Sequence, residues 1–129
     1  MSITAFKSPV SGLWPLGQIT VATAGTPVAL NTNVGAQTGG TPTSAPSGNV
    51  NALILQCPAT NTTLTYLLRN VQGQTITKSD TGFIVAIVAP GDTVTLPSGL
   101  FIGTPINVDD YLVDADTNGN KMIATAVRG

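Results

Sequence analysis

Hydrophobic positions in this chain recur at intervals of two, in short bursts separated by Gly, Pro and Asn. Ile19 and Val21 alternate with Thr20 and Ala22, and after the turn at residues 24–27 (AGTP) Val28 and Leu30 resume the inward face. Leu64, Tyr66 and Leu68 alternate with Thr63, Thr65, Leu67 and Arg69, which predicts a half-buried strand with Thr outward. Val94 and Leu96 alternate with Thr93 and Thr95, Tyr111 and Val113 form a further inward pair, and Met122, Ala124 and Ala126 alternate with Ile123, Thr125 and Val127. Residues 52–57 (ALILQC) and 83–88 (FIVAIV) are continuous apolar runs, as in strands buried on both faces. A short strand is expected around Ile76, and residues 89–92 (APGD) suit a turn.

No twelve-residue window carries a helical period. The expectation is therefore an all-β chain of about eight to ten short strands, an antiparallel β-sandwich or barrel. Two stretches fall outside the alternation. Residues 1–16 place Phe6, Leu13 and Trp14 among Pro9, Gly12 and Pro15 without any period, which predicts an extended N-terminal arm ahead of a single domain over residues 17–129. Residues 31–51, rich in Asn, Thr, Gly, Ser and Pro, form a long loop of the kind that is usually functional or disordered, and its lack of charge favours surface contact over a solvated tail.

Composition changes the picture in one respect. Only 9% of the 129 residues are charged, net charge is -1, and the chain has no His, no Glu and one Cys, whereas Thr occupies twenty positions and mean hydropathy is +0.29. Typical domains carry about a quarter charged residues. The surface is thus neutral and rich in hydroxyls, which suits a subunit covered by neighbours, because charges are depleted at interface cores. Phe6, Leu13 and Trp14 are the candidate interface anchors, either on another chain or against the open end of their own core.

The same composition removes chemistry. Without His, and with a single Cys, there is no Cys/His zinc site, no Ser/His/Asp or Cys/His triad and no intrachain disulfide. Cys57, in an apolar run before Pro58, reads as a buried structural thiol. Lys7, Arg69, Lys78, Lys121 and Arg128 are scattered, so no nucleic-acid partner is expected. No apolar run approaches the roughly eighteen residues that cross a membrane. The first residues lack a secretory signal, and the expectation is synthesis in the cytosol.

Residues 114–120 (DADTNGN) match the first half of a calcium loop, with Asp114, Asp116 and Asn118 at alternate positions and Gly119 sixth. The twelfth position is Thr125, which supplies no bidentate carboxylate. The alternative is a hairpin turn built on Asn118 and Gly119. The acids cluster in one stretch with few aromatics to grip a sugar, so no enzyme activity, metal or other cofactor is expected.

Residues 17–30 (GQITVATAGTPVAL), Asn61-Thr62 after an apolar strand, 89–97 (APGDTVTLP) and 111–119 (YLVDADTNG) stand in this order along the chain. In that order they resemble small β-sandwich proteins of tailed bacteriophage particles, over about residues 17–127 of this sequence. The resemblance implies a jelly-roll-like virion protein of the capsid decoration, or cement, type. It would lie on the capsid surface, with the major capsid protein as partner and a homotrimer as its assembly. Similar sandwiches in tails and fibres make a tail-associated or glycan-binding module the alternative.

Overall fold

The computed structural model describes residues 12–30, 49–70, 73–97 and 106–128. Its strands are β1 (Gly12–Thr20), β2 (Val28–Ala29), β3 (Asn49–Val50), β4 (Ala52–Gln56), β5 (Thr65–Arg69), β6 (Ile84–Val88), β7 (Thr93–Pro97), β8 (Ile106–Asn107), β9 (Tyr111–Ala115) and β10 (Lys121–Arg128). Two four-stranded sheets, in the orders β1-β10-β4-β7 and β2-β9-β5-β6, face each other, and every pairing is antiparallel. The two-residue strands β3 and β8 pair with each other. With those two set aside, the remaining strands cross between the sheets at every connection except β5 to β6, in the order of a jelly roll, two interlocked Greek keys.

The core lies between the sheets. Leu16, Ile19, Leu53, Leu55, Met122, Ala124 and Ala126 come from the first sheet, and Leu67, Val88, Val113 and Ala115 from the second. Each large side chain withdrawn from water here contributes about 1.5–3 kcal/mol. The inward sets expected for residues 94 and 96, 111 and 113, and 122 to 126 are the observed ones.

Several expectations need correction. The predicted boundary between an arm over 1–16 and a domain from 17 does not hold, since Gly12–Thr20 is one strand paired throughout with β10. Its period of two is broken by a bulge between Pro15 and Gly17. Leu16 is the extra residue and is fully buried, and Gly17 takes φ +85°, a conformation that costs glycine nothing. Residues 1–11, including Phe6, lie outside the described residues, as do 31–48. The end of the predicted loop, Asn49–Val50, is strand.

In β5 the predicted faces are exchanged: Thr65 is buried inward and Tyr66 points out. Leu68 also points out, opposite Leu112, yet is fully buried and lies apart from the main core. Ile76 is likewise buried outside that core, and it sits on an irregular segment instead of the expected strand. Residues 73–80 form a strap on the outside of the second sheet, held by Lys78 N donating to Asp114 Oδ2 at 2.9 Å. The apolar run 83–88 supplies β6, an edge strand and not a central one. Finally, residues 116–120 make no hairpin, because β9 and β10 belong to opposite sheets. Gly119 has φ +87° and no non-glycine among the described residues has positive φ, so the turn is an inter-sheet corner and not the tight hairpin turn that needs two such residues.

Candidate functional site

The residues of the calcium-like stretch separate on folding. Asp114 is fully buried on the outer side of β9. Its Oδ1 accepts from Gly25 N and Ala115 N, both at 2.8 Å, and its Oδ2 accepts from Lys78 N. Three backbone donors thus satisfy the carboxylate and fix two loops to the sheet. Asn118 Oδ1 accepts from Ala24 N at 2.8 Å. Asp116 accepts from Tyr66 Oη at 3.0 and 3.1 Å and pairs with Lys78 Nζ at 3.3 Å. Among the described residues no group of three His, Cys, Asp or Glu side chains converges as metal ligands would.

A polar network closes the same end of the sandwich. Asn61 Nδ2 donates to Lys121 O at 2.6 Å and Oδ1 accepts from Lys121 N at 2.9 Å. The same amide nitrogen reaches Cys57 Sγ at 2.8 Å and Thr65 Oγ1 at 3.3 Å. Asn120 Nδ2 donates to Thr63 O and Thr63 Oγ1, and Thr63 Oγ1 donates to Thr117 Oγ1 at 2.8 Å. Cys57 is a free, buried thiol, as expected. The chemistry of the network is that of a fully paired structural joint.

Desolvation raises the Tyr66 phenol above its ordinary 10.0, and the hydrogen bond and charge of Asp116 push it the same way. Burial also raises Tyr111, against a lowering by Arg69. Both rings therefore stay neutral in the fold at physiological pH.

What remains is the outer face of the first sheet. Register places Leu13, Val127 and Ala52 in one row, Pro15, Thr125, Ile54 and Thr95 in the next, and Gln18, Ile123, Gln56 and Thr93 in a third. Leu13 is 67% exposed, Pro15, Gln18, Gln56, Thr93 and Thr95 are exposed, and Ala52, Ile54, Ile123, Thr125 and Val127 are half-buried. The only charged residues of these four strands are Lys121 and Arg128, at the two ends of β10. Charge is concentrated instead around the second sheet, on Arg69, Lys78, Asp80, Asp109, Asp110, Asp114 and Asp116. The two outer faces of the sandwich are thus chemically different.

Of the three predicted anchors, Leu13 stands on this neutral face. Trp14 lies opposite Ala126 in β1. Its side chain and the whole of Phe6 fall outside the described residues. Sequence reasoning missed Ile54 as a surface-forming residue, because the apolar run 52–57 read as buried on both faces, whereas Ile123 and Thr125 follow from the alternation of β10. No protein-family model, curated protein or solved structure matches the chain.

Proposed function

We propose that this chain is a structural protein of a tailed-bacteriophage virion, a decoration or cement subunit that lies on the head shell and clamps the major capsid protein. The observation that carries this reading is the outer face of the first sheet, uncharged between the Lys121 and Arg128 ends of β10 and contrasted with the charged and strapped face of the second. Interface cores are depleted in charge, and a flat Thr and aliphatic surface desolvates at low cost. The jelly-roll topology adds an analogy only, since that fold builds viral shell domains and lectins alike.

A cement subunit works by binding energy alone. Contacts formed only in the decorated shell stabilise it by mass action. From strand spacing and rise, the neutral face measures on the order of 400 Å², about half of what a stable interface buries per partner. The remainder falls to residues beyond it, Phe6 first among them, which the sequence marks as an anchor.

Immuno-electron microscopy tests the proposal, using an antibody raised against the recombinant chain on virions of a phage that encodes it. Labelling over the head shell is expected. Labelling confined to the tail, or intact virions without label, would overturn it.

A further inference from the structure

We propose that two copies of this chain associate through the free side of β7, joining their first sheets into one continuous sheet about a two-fold axis at Thr95. A sheet edge offers unpaired backbone donors and acceptors, and proteins normally guard it. Three of the four edges here carry guards. β1 contains Pro15 and the Leu16 bulge, β2 is only two residues long, and β6 is kinked where its register against β5 shifts between Leu67 and Leu68. β7 has none of these within Thr93–Leu96. It runs in unbroken register with β4, from Ala52 opposite Pro97 to Gln56 opposite Thr93, and carries no charge. Among the described residues nothing pairs with its other side.

The occupant is a second copy because the strand complements itself. An isologous contact requires one patch to fit its own image. Antiparallel pairing about Thr95 sets Val94 opposite the partner's Leu96 on the core side and Thr95 opposite the partner's Thr95 on the outer side. Both are favourable cross-strand combinations. Val94, half-buried in one chain, and Thr95, exposed, both gain cover. The nearest charges, the two Asp92 side chains, fall at opposite ends of the new ladder, about 20 Å apart and well beyond the screening length of about 8 Å. This pairing does not depend on where in a particle the chain resides.

Sedimentation equilibrium of the full chain tests it, with Thr95→Lys, Thr95→Glu and their equimolar mixture. Thr95 is exposed, so neither change disturbs the core, and melting curves check this. The wild-type chain is expected at twice 13.1 kDa. Each variant alone sets like charges face to face on the axis and is expected at the mass of one chain, whereas the mixture recovers the two-chain mass. A wild-type monomer, a three-chain species, or a dimer that either variant leaves intact overturns the proposal. So does a mixture that fails to recover.

Discussion

The side-chain amide of Asn61 pairs with the backbone of Lys121 as a neighbouring strand would, donating to its carbonyl at 2.6 Å and accepting from its N–H at 2.9 Å. Asn61 is 8% exposed and also touches Cys57 and Thr65, so one side chain ties the loop after β4 to the start of β10. Asn61→Ala leaves both backbone groups of Lys121 without this partner, each at a cost of about 1–3 kcal/mol. The expected loss is about 2–4 kcal/mol in urea unfolding at constant m-value. Asn61→Asp keeps the acceptor but turns an oxygen toward the Lys121 carbonyl, and is expected to lose a comparable amount. A loss under about 0.5 kcal/mol for both variants, the range of ordinary surface substitutions, would show that the pairing carries no stability.

Asp114 acts in the same way on the outside of the second sheet. Removing its carboxylate strands the N–H groups of Gly25, Lys78 and Ala115, and Asp114→Ala is expected to cost about 2–4 kcal/mol. The local effect is more diagnostic. Amide exchange at Gly25 and Lys78 should accelerate more than exchange in β4, because the carboxylate is what holds both loops on the sheet. Uniform acceleration across the chain would argue against a specific latch. Since these oxygens already accept from backbone donors, calcium at millimolar concentration should leave Tm unchanged. A rise in Tm would restore the calcium reading of Asp114, Asp116 and Asn118.

The sequence made the eight principal strands legible wherever alternation was local and the outer face was bare. β7, β9 and β10 behave so, with Val94, Val113 and Met122 inward as expected. It misled where a third layer intervened. Leu68, on the outer side of β5, and Ile76, on the strap, are buried apart from the main core, while Thr65 takes an inward position usually held by an apolar residue. The Leu16 bulge hid a strand for a related reason, since one inserted residue reverses the apparent face of everything before it. The polar joint was invisible because its partners are far apart: Asn61 and Lys121 are separated by 60 residues. The neutrality of one face, by contrast, was signalled by composition, and the topology added which sheet carries it.

The raised phenols of Tyr66 and Tyr111 predict alkaline lability. In the unfolded chain each titrates near 10.0, whereas in the fold the neutral form is favoured. The stabilisation is therefore fully present below pH 10 and is lost as pH rises from there through the raised folded values. Thermal melts between pH 8 and 11.5, a range chosen to span the roughly pH 10 ionisation of a free phenol, should fall steepest at the upper end. Tyr111→Phe should flatten that fall. A wild-type slope equal to that of the Tyr66→Phe, Tyr111→Phe double variant would assign the lability to other groups.

If the neutral face is what meets the shell, charge placed at its middle should abolish binding without harming the fold. Ile54 and Thr125 are adjacent on β4 and β10, and both are half-buried and outward. Ile54→Lys or Thr125→Lys would force an ammonium group into the centre of a desolvated interface, where it finds no partner in the surrounding Thr and aliphatic side chains. Co-sedimentation with undecorated heads should weaken by at least about tenfold, the effect of losing one central interface residue. Ser79→Lys, on the strap over the opposite sheet, serves as the control and should bind as the wild type does. Thr125 is separated from the β7 edge by β4, so its outcome is independent of self-association, whereas Ile54 is the cross-strand neighbour of Thr95. Binding unaffected by either central substitution would place the contact on another surface and remove the main support for the cement reading.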